Sequence, residues 1–331
     1  MSRPRIAFLA GDPNGIGPEL AAKLLSSQAN VDAAEIMVFA DPAVIAAGEN
    51  VTGLRALLRD DGTRNGGARL ATLHQLDLGG ERAITPGRAT EAGGRAALAA
   101  LEAATAAAHR GEVDGIVFAP LNKHALRLAG MDHEDELRLL QSRFGVSGFV
   151  SEFNITGALW TSRVTSHVPL RDVADALSVD GVVEAVRIVH RYLVAAGRSQ
   201  PRIAVTGLNP HAGDGGSIGR EEIDIIAPAI TRVRDEGVDV SGPLPSDTVF
   251  LAAQRGDYDA VVTMYHDQGQ IAMKLMGFDK GVTLHGGLPV PVATCASGTA
   301  FDIVGRNVAN VDGLQHAFDL AVAIASRAAA R

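Results

Sequence analysis

The sequence has only one cysteine, Cys295, in 331 residues. A single cysteine excludes an internal disulfide framework and a metal cluster made of cysteines, and it suits a reducing compartment. The sequence also has no apolar run of about 20 residues, the length that a membrane helix needs. Its first residues lack the apolar stretch of a signal peptide. We therefore expect a cytoplasmic protein without a membrane partner.

Aromatic residues and basic clusters are also scarce. Aromatics make up 4% of the chain although 47% is hydrophobic, so Ala, Val, Leu and Ile must form the core. Such a core favours helices packed on buried parallel strands over an aromatic-rich β-sandwich. The formal net charge is −8, with 30 basic and 38 acidic residues and no basic stripe. This charge pattern argues against nucleic acid as a partner.

Strand-like and helix-like segments alternate along the chain. Short apolar runs predict strands, and longer amphipathic or alanine-rich runs predict helices. The predicted strands are 5–10, 35–40, 113–119, 202–206 and 259–264. The predicted helices are 18–25, 89–110, 221–234 and from about 314 to the end. This alternation predicts parallel βαβ architecture, and the length indicates two domains or one large α/β unit. Residues 61–69 form the loop richest in glycine and polar residues.

Two glycine-rich loops are candidates for binding a phosphate or cofactor. The first, GDPNGIGPE at 11–19, lies at a strand-to-helix junction, where backbone N–H groups point outward. The second, GDGG at 213–216, lies close behind His211. Neither loop matches the GxGxxG or P-loop pattern, so each is open to interpretation as a tight turn. The absence of GxGxxG argues against an ordinary Rossmann site and leaves other modes of NAD binding open.

Three histidines, His167, His211 and His266, each follow a β-like run in a segment rich in turn residues. Ligands of open α/β sheets gather where the carboxyl ends of strands meet loops, and neutral imidazole is the commonest metal-binding side chain. The three are far apart in sequence, so only the fold can bring them together. The alternative is three unrelated loop histidines. Asp247, in a proline-rich loop, is a candidate fourth ligand. Such a set suits Zn²⁺ or another first-row divalent ion, whereas Mg²⁺ prefers more oxygen ligands.

Segments along nearly the whole chain resemble the 4-hydroxythreonine-4-phosphate dehydrogenase (PdxA) family. They are GDPNGIGPE at 11–19, APLNKHAL at 119–126, TSHVPLRDVADAL at 165–177, GLNPHAGDGG at 207–216, GPLPSDT at 242–248, MYHDQGQIAMK at 264–274 and SGTAFDIVG at 297–305. Several long matches in the same order are far more specific than one short motif.

This resemblance implies a two-domain α/β fold like that of isopropylmalate and isocitrate dehydrogenases, with α/β/α layers. It also implies a homodimer whose active site lies in the interdomain cleft at the subunit interface, with ligands from both chains. Residues 1–130 and 285–331 are expected to form the cofactor-side domain. Residues 131–284 are expected to form the domain for metal binding and dimerisation.

The resemblance also implies roles for particular side chains. His167, His211 and His266 match the family's metal ligands, with Zn²⁺ expected first and Co²⁺, Mn²⁺ or Mg²⁺ as alternatives. Asp247 matches a carboxylate close to the metal and Lys274 a lysine that contacts substrate, and both are candidates for proton handling. The expected contacts of NAD or NADP are Gly15, Gly298, Thr299 and Asp302.

The chain departs from the family pattern where the substrate phosphate binds. A characteristic His-Thr-Glu segment is replaced by Glu134, Asp135 and Glu136, although His133 is an alternative match for that histidine. A carboxylate about 5 Å from a phosphate charge would cost about 3 kcal/mol per charge pair at an effective dielectric of 20. These acidic residues therefore argue against a phosphorylated substrate.

Three further positions differ at the expected substrate end. Thr283 stands where the family has asparagine, Val292 where it has a phosphate-binding arginine, and Ser297 where it commonly has histidine. Valine cannot supply the bidentate, charge-assisted clamp of arginine. We therefore regard Lys274, Thr283, Val292, Glu134 and Asp135 as the residues of a rebuilt substrate site.

The expected function is a metal-dependent, NAD(P)-linked dehydrogenase that oxidises a secondary hydroxyl, with β-decarboxylation. Its expected substrate is a small hydroxy acid or a carboxylated dihydrodiol, since relatives in this family include terephthalate cis-dihydrodiol dehydrogenases. The alternatives within the family are 4-phosphohydroxy-L-threonine dehydrogenase of pyridoxal phosphate biosynthesis and a four-carbon acid-sugar phosphate dehydrogenase. From other classes, a metal-dependent hydrolase and an inactive binding protein remain as alternatives.

Overall fold

The computed structural model describes residues 3–60, 69–76, 84–277 and 281–328. The chain forms two compact units: unit 1 comprises Met1–Ser147 and Leu288–Arg331, and unit 2 comprises Gly148–Gly287. The domain limits and roles expected from the sequence stay predictions. Residues 61–68 of the glycine-rich loop lie outside the described residues. Within those residues, no helix has both the length and the apolar character to cross a membrane.

Unit 1 contains a parallel sheet in the order β3-β4-β2-β1-β5-β12, with strands numbered along the whole chain. Its strands are β1 Arg5–Leu9, β2 Glu35–Ala40, β3 Leu58–Asp60, β4 Ala71–Gln75, β5 Gly115–Phe118 and β12 Val292–Cys295. Its helices are α1 Gly17–Leu25, α2 Gln28–Ala33, α3 Pro42–Thr52, α4 Glu91–His109, α5 Lys123–Leu128, α6 Glu136–Arg143 and α12 Asp312–Ala328.

The central strands of unit 1 are continuous apolar runs because both faces of the sheet are covered. Ile6 and Phe8 of β1 have no exposed surface, and neither has Ile116 of β5 or Phe318 of α12. Each of these buried aromatic or branched side chains stabilises the fold by about 1.5–3 kcal/mol. The predicted strands at 5–10, 35–40 and 113–119 are confirmed, and β2 has the predicted bounds.

Unit 2 contains strands in the order β11-β6-β7-β10-β8-β9. They are β6 Ser151–Thr156, β7 Leu159–Arg163, β8 Ile203–Thr206, β9 Val240–Leu244, β10 Ala260–Thr263 and β11 Val282–Gly286. Its helices are α7 Val173–Ala176, α8 Val179–Ala195, α9 Ala227–Asp235, α10 Ser246–Gln254 and α11 His266–Leu275. Shorter turns are the 3-10 segments Leu170–Asp172 and Pro210–Gly216 and the π-helical turn Glu222–Ile226.

The predicted parallel βαβ architecture is confirmed for most strands of unit 2, and β6 is the exception. Strands β7, β10, β8 and β9 are parallel, but β6 runs antiparallel to both β7 and β11. A two-residue turn at Gly157 and Ala158 joins β6 to β7, and Gly157 has φ +58°. Glycine adopts such a positive φ at little steric cost, as tight hairpins require.

The predicted helix at 221–234 is confirmed, but its first turn is not α-helical. Glu222–Ile226 is π-helical and continues into α9 at Ala227. Pro228 lacks an N–H and is tolerated because it falls near the start of α9. Glu222, the first residue of the π turn, faces the loop after β8.

Candidate functional site

The predicted metal ligands follow the carboxyl ends of four adjacent parallel strands in unit 2. His167 comes after β7, His266 after β10, His211 after β8 and Asp247 after β9. The strand order β7-β10-β8-β9 therefore lays the four residues along one edge, with His266 beside both His167 and His211. Neighbouring strands lie about 4.8 Å apart, so long side chains at this edge can converge.

The structure brings His167 and His266 into direct proximity. Their ring centroids are 5.6 Å apart and the rings are tilted by 43°. Both line a cavity of about 450 Å³ in unit 2, together with Thr165, Val168, Leu170, Val173, Tyr265 and Asp267. The cavity therefore combines two imidazoles and a carboxylate with an apolar wall, a composition typical of small-molecule sites.

Asp267 fixes the orientation of the His266 ring. Its Oδ1 atom lies 2.6 Å from His266 Nδ1. A proton on Nδ1 would be held by this carboxylate, and Nε2 would then carry the lone pair that a metal needs. Metal-binding histidines commonly have such a carboxylate or carbonyl partner on the second ring nitrogen.

Gln268 joins the ends of β10 and β8. Its Oε1 accepts hydrogen bonds from Met264 N at 2.7 Å and from Thr206 Oγ1 at 2.9 Å, and its Nε2 donates to the carbonyl oxygen of Gly207 at 2.8 Å. One carboxamide thereby fixes the segment that begins α11 at His266 relative to the loop that leads to His211.

His211 lies in a left-handed turn of the backbone. Residues 211–215 all have positive φ, with φ +54° at His211, +53° at Ala212, +80° at Gly213, +44° at Asp214 and +66° at Gly215. His167 also has φ +53°. A non-glycine residue in this region costs roughly 1–2 kcal/mol, and such strain concentrates at functional sites.

The carboxylate of Glu222 lies inside the same loop. Its Oε1 accepts from Leu208 N and Asn209 N, both at 2.7 Å, and its Oε2 accepts from Asn209 Nδ2 at 3.0 Å. Glu222 is 3% exposed. Burial raises the pKa of this carboxyl, but hydrogen bonds from Asn209 and Leu208 outweigh burial and hold the pKa below its usual value. Glu222 is therefore ionised at neutral pH.

The candidate proton-handling residues are both exposed. Asp247 lies in the first turn of α10, where a carboxylate is stabilised by the helix dipole. Lys274 lies in the last turn of α11, about two helical turns after His266. Helix α10 follows β9 along the chain and α11 follows β10, so both helices begin at the carboxyl ends of these strands.

The residues expected to form a rebuilt substrate site have varied environments. Thr283 lies on β11 and donates through Oγ1 to Asn154 Oδ1 at 3.4 Å. In unit 1, Glu134 is exposed, whereas Asp135 is buried and its side chain accepts from Arg138 N at 2.8 Å as the N-cap of α6. Val292 has no exposed surface and pairs with β5. We therefore assign Val292 no direct contact with substrate.

The candidate cofactor residues come together in unit 1. Gly15 packs so closely on Thr299 that a Cβ there would lie 2.8 Å from Thr299 Cβ, and Ile16 N donates to the Thr299 carbonyl at 3.0 Å. Asn122 Nδ2 also donates to Thr299 Oγ1 at 3.2 Å. The buried Thr299 thus anchors the loop, while Gly298 and Asp302 are exposed and accessible to a ligand.

Asn14 shows that the first glycine-rich loop is an internal scaffold. It is fully buried, its Nδ2 donates to Thr90 Oγ1 at 2.8 Å, and its Oδ1 accepts from Thr85 N. Glu19, also buried, accepts from Ala309 N at 2.9 Å. The side chains of this loop therefore fix two other segments of unit 1, at residues 85–90 and at residue 309, besides any role in binding.

Sequence reasoning missed Gln268 and Glu222, the two side chains that connect the strand ends and the His211 loop. Both occur inside segments that had been recognised as motif or helix, but nothing in the sequence distinguishes a polar residue that turns inward from one that faces solvent. The one available signal was their nearness in sequence to the histidine motifs.

Comparison with known proteins gives matches over most of the chain. The model of a family described as pyridoxal phosphate biosynthetic protein PdxA matches residues 32–321. A Pseudomonas aeruginosa protein provisionally named 4-hydroxythreonine-4-phosphate dehydrogenase 2 is 48% identical, over 97% of this chain and 96% of its own length.

Two solved structures show similar folds. The 4-hydroxythreonine-4-phosphate dehydrogenase of Klebsiella pneumoniae is 35% identical over 98% of both chains, with a TM-score of 0.82. A terephthalate 1,2-cis-dihydrodiol dehydrogenase of Burkholderia xenovorans is 30% identical over 97% of this chain and 98% of its own, with a TM-score of 0.71. The predicted α/β fold class is thereby confirmed.

Proposed function

The chain belongs to the PdxA family and is an oxidoreductase acting on CH–OH groups, and from this premise we propose a metal-dependent, NAD(P)-linked dehydrogenase of a non-phosphorylated substrate. The proposed substrate is a small hydroxy acid or a carboxylated dihydrodiol. The observation that carries the proposal is the row of His167, His266, His211 and Asp247 at four adjacent strand ends.

The donor set fits a divalent ion. Three imidazoles match the ligands of Zn²⁺, with Co²⁺, Mn²⁺ and Mg²⁺ as alternatives, and Asp247 is the carboxylate expected close to the metal. Asp267 orients His266 from the far side of its ring. A divalent ion held there would lower the pKa of the substrate hydroxyl and orient its carbon.

Other residues of the chain would handle protons, charge and cofactor. Asp247 is the candidate to accept the hydroxyl proton, and Lys274 offers a positive charge to a substrate carboxylate. Gly298 and Asp302 are the candidate contacts of NAD or NADP, which would accept the hydride, on a loop that Thr299 fixes against Gly15. A product with a carboxylate β to the new ketone would then lose CO₂.

Two observations support a substrate without phosphate. The position where the family places a phosphate-binding arginine is Val292, which is buried in β12 and offers no cation. Asp135, at the position of another expected phosphate contact, caps α6 instead. The 30% identity to a terephthalate dihydrodiol dehydrogenase, together with a TM-score of 0.71, supports a dihydrodiol as one substrate class.

A second candidate is oxidation of 4-phosphohydroxy-L-threonine, the activity named for the Klebsiella pneumoniae enzyme. This candidate is supported by the similarity of the present chain to that enzyme over 98% of both chains. Steady-state assays of the Zn²⁺-loaded protein with NAD⁺ and NADP⁺, on phosphorylated and non-phosphorylated substrates, separate the two. We expect at least a tenfold higher kcat/KM on a non-phosphorylated substrate. Efficient turnover of only the phosphorylated compound would reject our substrate proposal.

Histidine variants test the metal assignment. Replacing His211 by Ala should abolish turnover and weaken Zn²⁺ binding, because one of three imidazoles is lost. The matched control is His316→Ala, since His316 is exposed on α12 of unit 1. Turnover without bound nicotinamide would indicate a hydrolase, and failure of the wild type to bind metal or cofactor would indicate an inactive binding protein.

A further inference from the structure

We propose that Glu222 is a positioning residue, a buried carboxylate that sets the backbone of the His211 loop for metal binding. The proposal rests on the proposed function, in which His211 is a ligand. It adds a second residue, more than ten positions away in sequence, that acts on the metal only through the shape of the loop.

The His211 loop is folded around the carboxylate of Glu222. Both oxygens of Glu222 accept hydrogen bonds from Leu208 and Asn209, the residues that enter the turn. A Cβ at Gly207 would lie 3.0 Å from Glu222 Oε1, and a Cβ at Gly213 would lie 2.6 Å from Oε2. The backbone therefore touches the carboxylate both before and after His211.

His211 depends on its backbone for its position. Among the described residues its ring has no side-chain hydrogen bond, in contrast with His266, whose Nδ1 meets Asp267. The backbone around it is left-handed from His211 to Gly215, a conformation that residues with a Cβ disfavour. Without an external anchor, this segment would relax toward ordinary φ values and carry the imidazole with it.

The carboxylate of Glu222 is held by a well-packed helical segment. Glu222 begins the π-helical turn that precedes α9, and Ile226 and Ile230 of the same segment are at most 1% exposed. The carboxylate is thus attached to a rigid, well-packed element and not to another loop. Single π turns of this kind are frequent at functional sites because they redirect one side chain.

The experiment measures Zn²⁺ affinity by competition with a chromophoric chelator, in the full-length protein. Glu222→Ala should weaken Zn²⁺ binding by about 10–100-fold, the usual effect of removing an outer-shell partner. Glu222→Gln should recover part of the loss, because its oxygen can still accept from Leu208 and Asn209. The control in the same segment is Asp224→Asn, which removes only an exposed pair with Arg220 and should bind Zn²⁺ like the wild type.

Two measurements separate positioning from general destabilisation. Hydrogen exchange of the metal-free protein should show faster exchange at the Leu208 and Asn209 amides in Glu222→Ala. The comparison variant Val189→Ala removes buried methyl groups from α8, where Val189 has no exposed surface. It should lower stability and leave Zn²⁺ affinity unchanged.

A pair of glycine variants tests the same contact from the loop side. Gly213 and Gly215 have similar φ values, +80° and +66°, but only Gly213 approaches Glu222, and a Cβ at Gly215 meets no atom within 4 Å. Gly213→Ala should therefore weaken Zn²⁺ binding by about the factor seen for Glu222→Ala. Gly215→Ala should have a several-fold smaller effect, due to backbone strain alone.

The outcomes distinguish this proposal from the metal assignment. Wild-type Zn²⁺ affinity in both Glu222→Ala and Gly213→Ala, with affinity lost in His211→Ala, would overturn only the positioning role. Wild-type affinity in His211→Ala would overturn the metal assignment and the positioning role with it. Loss of affinity in Glu222→Ala without recovery in Glu222→Gln, and with equal loss in Val189→Ala, would show that Glu222 acts through stability alone.

Discussion

Replacing Gln268 by Ala should destabilise unit 2 more than any exposed substitution on α11. The change removes an acceptor used by Met264 N and Thr206 Oγ1 and a donor used by the Gly207 carbonyl. Met264 and Thr206 have no exposed surface, and Gly207 is buried. The groups left behind therefore have poor access to water.

The magnitude follows from the number of groups left without a partner. A buried polar group that loses its hydrogen bond costs about 1–3 kcal/mol. The Thr206 hydroxyl can rotate toward another acceptor, which leaves the Met264 N–H and the Gly207 carbonyl as the main losses. The free energy of unfolding should therefore fall by about 2–4 kcal/mol.

Trp160 provides the assay. It is the only tryptophan of the chain, it is 5% exposed, and it lies on β7 opposite Ala260 of β10. Its fluorescence during urea unfolding therefore reports on unit 2. The control Gln270→Ala removes the same side chain two residues along α11, where Gln270 makes no side-chain hydrogen bond to a described residue. A loss below about 1 kcal/mol in Gln268→Ala would refute this reasoning.

Three further predictions concern stability and assembly. Burial raises the pKa of Asp114, but Arg5 outweighs burial and lowers it, so the pair stabilises unit 1 above about pH 4 by roughly 0.5–1 kcal/mol. The advantage of wild type over Asp114→Asn in unfolding experiments should vanish as pH falls through the lowered pKa, and an advantage that persists at pH 2 would contradict this. Gly48→Ala should cost about 1–3 kcal/mol, because a Cβ would lie 1.9 Å from the Pro18 carbonyl oxygen. Gly148→Ala, whose Cβ meets no atom within 4 Å and whose backbone is not left-handed, should cost less, and equal losses in thermal unfolding would reject the steric argument. Light scattering should give about twice the 34.4 kDa of one chain, as the family resemblance implies, and a monomer at micromolar concentration would contradict the predicted homodimer.

Patterns in the sequence predicted those helices and strands whose own residues carry the signal for the structure. Apolar runs ended by turn residues predicted β1 and β2, and Pro18 with Glu19 predicted the start of α1. The hairpin of β6 and β7 was not predicted, because Gly157 and Ala158 do not form one of the Asn-Gly or Asp-Gly signals of tight turns. The antiparallel part of unit 2 was missed for that reason.

The sequence predicted the candidate metal ligands, but it did not predict the residues that position them. His167, His211 and His266 were recognisable since each follows a strand-like run, and the sheet order lays them along one edge. Glu222 and Gln268 both contact the loop after β8, more than ten residues from either along the chain, so their nearness to the histidine motifs was the one signal in the sequence. The π turn at Glu222 depends on tertiary packing in the same way.

The discontinuity of unit 1 has a consequence for how the protein is made. Strand β12 pairs with β5 inside the unit 1 sheet, yet all of unit 2 is encoded between them. At about 5–20 residues per second, a ribosome that has completed β5 must continue for about 9–35 s before β12 exists. During that time the β5 edge has no partner strand, whereas unit 2 is one uninterrupted segment. The ends of unit 2 meet, since a Cβ at Gly287 would lie 2.5 Å from the carbonyl oxygen of Phe149. Unit 2, which carries the histidines, can thus complete its fold first. Unit 1, whose synthesis begins earlier, can complete its sheet only after β12 has been made.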